Sequence, residues 1–381
     1  MVYMSGDNDL EKFITDDIKE MAMVGSSTHA NIMVLADRVP GYATNGKKNG
    51  GDWTSSKLFK VHRGLVPSPA TALEDWGERD FGNANTLTDF VTRSKELAPA
   101  DRYLLVFWGK GYTWHPGHAM LDATTNNALD MDELKAALPE LGSIDVVAYD
   151  ASHMGSIEVA GLWHGKAAAI AFSEDAVAGS SGINYQEMLV QLNVNPSMTE
   201  NQLAIEISKS ATASSTFSAV TLDTRFDNLL HRVNKWSAAL VRGLSERPVQ
   251  VHENYDVNTN HAKYGKAFHK SKYFKAHQTD KDLYDLASNI RDLGINERYG
   301  IEAGNIKATS KAVMDAVASA VLHERHASAA TGVHGLTIYQ IFCAQSKESA
   351  DHAFYRGLDF TAATNWIKFI DMYATAAGCS T

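Results

Sequence analysis

The sequence predicts an α/β protein whose central sheet is mainly parallel and covered by helices on both faces. Three observations carry that reading. Two apolar runs, Tyr103-Leu-Leu-Val-Phe-Trp108 and Val146-Val147-Ala148-Tyr149, have the composition of strands buried on both sides. Each run stops at a short polar tip, Gly109-Lys110-Gly111 after the first and Asp150-Ala151-Ser152-His153 after the second, where Met154, Ile157 and Val159 then begin a helical pattern. A strand that ends in polar residues before a helix puts them at the carboxyl edge of a parallel sheet, where open α/β folds place their sites. Finally, strand-like and helix-like segments alternate along most of the chain.

In chain order, Val2-Tyr3-Met4 reads as the end of a first strand. Ser5 to Asp9 reads as a turn and helix N-cap, with acids where a helix dipole favours them. Leu10, Phe13, Ile14, Ile18 and Met21 form a helical stripe, and Asn31 to Asp37 a second strand. Gly41 to Asp52 is a Gly/Asn/Lys loop, Leu58 to His62 a strand or hairpin arm, and Leu87 to Leu97 an amphipathic helix capped by the preceding Asn83-Ala-Asn-Thr86. Thr124 to Asn127 is a loop. Asp130, Asp132 and Glu133 open a helix that ends near Leu138; they fit a dipole-favoured first turn, and their spacing does not match an EF-hand loop.

Ala167 to Phe172 is the next strand, followed by Ser173-Glu174-Asp175 and the loop Ala176 to Tyr185. Thr199–Thr212 is a helix, Phe217–Asp223 a strand and Phe226–Leu244 a long amphipathic helix. Val251 to Thr279 is polar, rich in Tyr, His and Lys, and without a period. It is the place for an irregular insertion or the start of a C-terminal subdomain, which divides the chain into a core, 1–250, and a C-terminal part, 251–381, contributing helices and at least one strand. Asp282–Ala287 and Ala312–Leu322 are helical, His334–Tyr339 a last strand and Phe360–Tyr373 a closing helix.

With 44% apolar and 21% charged residues, the 381-residue chain has the composition of an ordinary globular protein. Its 45 acidic and 35 basic residues give a net charge of −10, which argues against a nucleic-acid binder and suits basic peptide substrates. No apolar run approaches the length of a membrane span, and no signal peptide is visible before the first strand. The two cysteines are too few for a disulfide framework. Cys343 lies in an apolar run as a buried thiol, and Cys379 lies near an exposed Ser/Thr tail.

Taken together, the two tips resemble those of the clostripain family of cysteine peptidases, in the same clan as caspases, legumain and gingipains. There the first tip reads roughly Gly-His-Gly-x-x-Trp and carries the catalytic histidine, and the second reads Asp-Ala-Cys-x-Met-Gly and carries the catalytic cysteine. Here they read Gly109-Lys110-Gly111-Tyr112-Thr113-Trp114 and Asp150-Ala151-Ser152-His153-Met154-Gly155, so the frames match while Lys110 and Ser152 stand at the two catalytic positions. The opening Tyr3 to Glu11, Asp282-Leu-Tyr-Asp-Leu-Ala287 and His334-Gly-Leu-Thr-Ile-Tyr339 also look like family landmarks, which extends the resemblance over essentially the whole chain.

The resemblance implies a caspase-like α/β/α sandwich and a secreted, monomeric endopeptidase that cuts peptides after Arg or Lys. It implies Asp150 at the base of the S1 pocket, backbone N–H groups of Gly111 and Ser152 as oxyanion donors, and a pocket loop starting at Ser173, Glu174 and Asp175. The family's acid later in that loop is replaced here by Ser180 or Ser181. Calcium is implied as a cofactor, with no ligand set attached. Family members often cut themselves after a basic residue between the two tips, and Asp122–Ala128 contains none.

Chemistry weighs against turnover in this chain. A serine hydroxyl is scarcely ionised near neutral pH and needs a strong base. Lys110 serves as one only if neutral, which requires burial away from anions, and Asp150 is expected close by. A catalytically crippled endopeptidase is therefore expected. The alternatives are a natural pseudopeptidase or peptide-binding module that uses the Asp150 pocket and, more remotely, a Ser–Lys hydrolase. Asp150 also admits a plain role as a helix-cap acid. His153 points to the other face if the chain stays extended, and His115 and His118 lie past the first tip, outside the family frame.

Overall fold

Tyr3, Phe107 and Tyr149 point to one side of a single sheet, and Met4, Trp108 and Ala148 to the other. That two-residue alternation gives the molecule a buried core on each face of one twisted layer. The computed structural model describes residues 1–39, 53–117, 119–177, 179, 182–212, 216–245, 270–274, 277–292, 301–328, 330–341 and 350–376. His118, Ser180, Ser181, Cys343, Cys379 and the expected loop 41–52 lie outside the described residues, as does most of the expected irregular segment 251–279.

The strands are β1 (Val2–Gly6), β2 (Met33–Arg38), β3 (Ser56–Lys60), β4 (Glu74–Gly77), β5 (Leu104–Gly109), β6 (Ala119–Asp122), β7 (Asn127–Leu129), β8 (Val146–Ala151), β9 (Ala169–Phe172), β10 (Phe217–Thr221), β11 (Tyr273–Phe274), β12 (His277–Asp282), β13 (Val321–Arg325) and β14 (Thr337–Tyr339). Nine of them form the central sheet in the order β13-β10-β9-β8-β5-β1-β2-β3-β4. The five in the middle, β9-β8-β5-β1-β2, run parallel, and the flanking pairs are antiparallel. The expected α/β architecture with a mainly parallel sheet is therefore present.

Helices α1 (Glu11–Val24), α2 (Ala84–Leu97), α3 (Met131–Ala137), α4 (Ile157–Trp163), α5 (Tyr185–Val194), α6 (Glu200–Ser210) and α7 (Thr224–Ser245) cover the sheet. Residues of α1, α5 and α6 join one core, and residues of α2, α3, α4 and α7 join the other. That second core also takes in Leu286, Val313, Ile338, Trp366 and Phe369 from the C-terminal part. Described residues of the C-terminal part thus pack onto the main sheet and add its outermost strand, β13.

Several elements depart from the sequence reading. The hairpin β6–β7 and the edge strand β4 are too short or too charged to carry an alternating apolar pattern. Val321–Arg325 is a strand rather than a helix end, because the helix Ile301–Ala320 runs into it without a Gly or Pro to mark the change. The closing helix is two helices, Asp359–Ala363 and Trp366–Ala376. Thr364 Oγ1 donates to Phe360 O at 2.9 Å at the break, and Trp366 stacks on Trp236 with ring centroids 5.2 Å apart. The acids of Ser5–Asp9 do not cap α1: its N-cap is Leu10 with no side-chain cap, and Asp7 and Asp9 are engaged elsewhere.

Candidate functional site

β5 and β8 are neighbours in register, with Trp108 opposite Asp150 and Gly109 opposite Ala151. The tips that follow them therefore leave the same edge side by side. Their backbones touch. A Cβ on Gly111 would stand 2.5 Å from the carbonyl oxygen of Ser152 and 2.9 Å from Met154 Cγ, so only glycine allows this approach. The Lys110 tip is folded back onto the hairpin, where Met120 N donates to Lys110 O at 3.0 Å. Beyond it Trp114 is buried between Tyr339 and Tyr355, at ring-centroid distances of 4.7 and 4.6 Å.

Asp150 and Ser152 face the same loop, in keeping with their spacing of two. Ser152 Oγ accepts from Val177 N at 3.0 Å and lies 3.4 Å from Val177 O. Asp150 is buried and accepts from Tyr185 Oη at 2.8 Å and Ile183 N at 3.3 Å. Burial outweighs those two bonds and pushes its carboxyl up to about 7. Gly182, at φ +143°, passes so close that a Cβ there would lie 2.2 Å from Asp150 Oδ1. Asp17 and Glu20 of α1 add acid behind it: Asp17 accepts from Trp108 Nε1 at 2.6 Å, and Glu20 accepts from Tyr185 N at 3.0 Å. The helix after this tip is capped by Ser156, whose Oγ accepts from Val159 N, so Asp150 is not a cap.

Lys110 is engaged differently from the expectation. Its Nζ lies 2.6 Å from Asp9 Oδ1, so the anion it meets is Asp9 rather than Asp150. The turn after β1 brings Asp9 to the tip, and nothing in the spacing of residues 9 and 110 announces it. Among the described residues no hydrogen bond joins Lys110 to Ser152. His153 is interior, but not because the strand continues: its φ is +60°, its N–H donates to Asp175 O at 3.0 Å, and Nδ1 lies 3.3 Å from Glu174 O. Burial lowers its pKa. His115 stacks on Trp114 at 4.1 Å, with Nδ1 3.2 Å from Asp351.

The start of the expected pocket loop is mostly internal. Ser173 Oγ pairs with Thr216 Oγ1 at 2.8 Å, and Glu174 accepts from Gly335 N at 2.8 Å. Both are buried, while Asp175 is half-buried and holds Ala176 N through its carboxylate. Glu174 thus ties the loop to the C-terminal part, and burial, then the charge of Asp282, raises its pKa.

Of the acids considered for a metal, Asp130 and Glu133 are spent on a reciprocal capping box at the start of α3. A set that sequence reasoning missed is Asp7, Asp37, Glu78 and Asp122, which bring one carboxyl oxygen each to within 4.8 Å of the others. Burial, opposed in part by Ser56, pushes Asp37 up to about 8. The one legible hint is that Asp37 is the last but one residue of β2 and Asp122 ends β6.

The chain matches the clostripain family over residues 2–373. It is similar to clostripain of Hathewaya histolytica, at 27% identity over 205 residues covering 48% of this chain and 38% of that protein. The chain thus spans well under half the length of that relative. It also resembles a secreted C11 cysteine protease from Bacteroides thetaiotaomicron solved with an irreversible peptide inhibitor, with a TM-score of 0.64, 17% identity and coverage of 96% of this chain and 98% of that one. An inactive zymogen C11 protease from Parabacteroides distasonis gives a TM-score of 0.62 at 18% identity, covering 95% and 96%. At these identities the likeness is one of fold.

Proposed function

Because the chain belongs to the clostripain family of cysteine peptidases, we propose that it is a peptidase scaffold that binds peptides through an Arg or Lys side chain and does not turn them over. The observation that carries this is the pair of tips. The frame is tight, with Gly111 against the Ser152 backbone, yet the positions that would hold the histidine and cysteine are Lys110 and Ser152.

In this reading the carbonyl of a bound peptide sits over Ser152, and the N–H groups of Gly111 and Ser152 face its oxygen. The cationic side chain beside it reaches Asp150 between Gly182 and Tyr185. A guanidinium there replaces the lost hydration of the carboxylate and draws it into its ionised form. Attack fails because the Ser152 hydroxyl has no base: Lys110 turns to Asp9, and His153 faces Glu174. Those contacts favour the silent reading over a Ser–Lys hydrolase. A secreted location is proposed with it, since the Bacteroides neighbour is a secreted protease.

The test is fluorescence anisotropy with a labelled arginine-containing peptide, followed by mass spectrometry of the recovered peptide. The expected result is saturable binding, intact peptide after prolonged incubation, and loss of binding on replacing the arginine by norleucine. Cleavage of the peptide by the chain would overturn the proposal.

A further inference from the structure

We propose that Asp7, Asp37, Glu78 and Asp122 form a site for one calcium ion, separate from the two tips and independent of peptide binding. The four acids come from four different segments: the turn after β1, the body of β2, the residue after β4, and the end of β6. Three of the four are buried and Glu78 is exposed, so the group reaches solvent through one acid.

Beyond the cluster itself, two buried oxygens lack partners. Asp7 and Asp37 are 1% and 0% exposed, yet Asp7 Oδ1 and Asp37 Oδ2 accept no hydrogen bond. A buried acceptor left without a donor is destabilising, the more so when it is charged, so these two oxygens point to a bound cation. Among the described residues no Lys, Arg or His forms an ion pair with any of the four.

The other oxygens are fixed from behind. Asp7 Oδ2 accepts from Thr124 N at 3.2 Å, Asp37 Oδ1 from Ser56 Oγ at 2.8 Å, and Asp122 from Phe81 N at 3.0 Å and Thr125 N at 2.9 Å. Outer bonds of this kind orient metal-ligating carboxylates.

The donor set selects the ion. It contains only hard oxygens, which suit calcium and magnesium rather than softer metals. Calcium binds oxygens at about 2.4 Å, so two ligands across the ion stand up to about 4.8 Å apart. The four carboxyl oxygens lie within 4.8 Å of one another, inside that span, with further coordination left to water. Magnesium prefers a tighter octahedron and gives up its waters reluctantly.

An ion here would fasten the turn after β1 to the hairpin. The two already share bonds from Ser5 Oγ to Leu121 O at 3.0 Å and from Ala123 N to Asp7 O at 2.8 Å. The same turn carries Asp9 to Lys110, so the ion would stiffen the flank of that tip without touching Ser152.

The experiment is calorimetric titration of calcium chloride into the full chain stripped with EDTA, with melting followed in parallel. The expected result is one ion per chain, a melting temperature that rises with calcium concentration, and a weaker response to magnesium. Asp37→Asn combined with Asp122→Asn should abolish the response. Glu78→Gln, at an exposed position where folding is not at stake, should weaken binding about tenfold. No binding at millimolar calcium, an equal response to magnesium, or an unchanged affinity in Glu78→Gln would each overturn the proposal.

Discussion

The tips after β5 and β8 and the acid cluster beside β1 and β2 lie at the same edge of the same sheet, and they differ in the side chains they present. At the tips the backbone is fixed to within a Cβ, while the two side chains that would do chemistry are Lys110 and Ser152. In the cluster the backbone is also close, since a Cβ on Gly6 would lie 2.9 Å from Asp37 O, but there four acidic side chains converge with two oxygens unspent. Site geometry and site chemistry are thus separable properties of one scaffold.

Perturbations can break this contrast, and the largest should come from the frame. Gly111→Ala puts a methyl group against the Ser152 carbonyl. It should cost about 2 kcal/mol of stability, read as a lower midpoint in urea denaturation, because backbone rather than a flexible side chain must move. An unchanged midpoint would mean the tips are not in contact.

Next in size is Asp150→Asn, which keeps the shape of the Tyr185 and Ile183 contacts but removes the charge. It should weaken binding of an arginine peptide about thirtyfold, equivalent to about 2 kcal/mol. In the parent chain that binding should tighten as pH rises through about 7, where Asp150 ionises, and the variant should lose the dependence.

Stability should move the other way with pH. Asp150 has a folded pKa raised above its unfolded value near 4, so its contribution is fully present below the unfolded value and is lost as pH rises through about 7. Asp37 shifts in the same direction, to about 8. Melting temperature in EDTA should therefore decline between about pH 5 and about pH 8, and less steeply in Asp150→Asn. The smallest effect belongs to Asp9→Asn. The pair it breaks is 39% and 62% exposed, so stability should fall by about 0.5 kcal/mol or less in a thermal melt.

The tips were legible because a long apolar run ending in polar residues has few other readings. Val146 to Tyr149 fixes a buried strand, and its end places Asp150 and Ser152 on one face. The resemblance then supplied roles for positions that composition alone leaves mute. Three things were not legible. The contact of Lys110 with Asp9 is set by a turn that crosses to a strand a hundred residues away. The left-handed backbone at His153 turns the side chain onto Glu174 through a local bend that no pattern of apolar residues records. The four-acid group joins residues 7, 37, 78 and 122, and the tight turn that holds Asp7 reads equally well as a helix cap.

The central claim, an intact frame with silenced chemistry, is tested most directly by hydrolysis of an arginine fluorogenic peptide by this chain and by the double replacement Lys110→His with Ser152→Cys. The account predicts no turnover by the chain and measurable turnover, blocked by a thiol reagent, in the double variant. Turnover by the chain itself, or a folded double variant that binds the peptide and still does not cut it, would contradict the account.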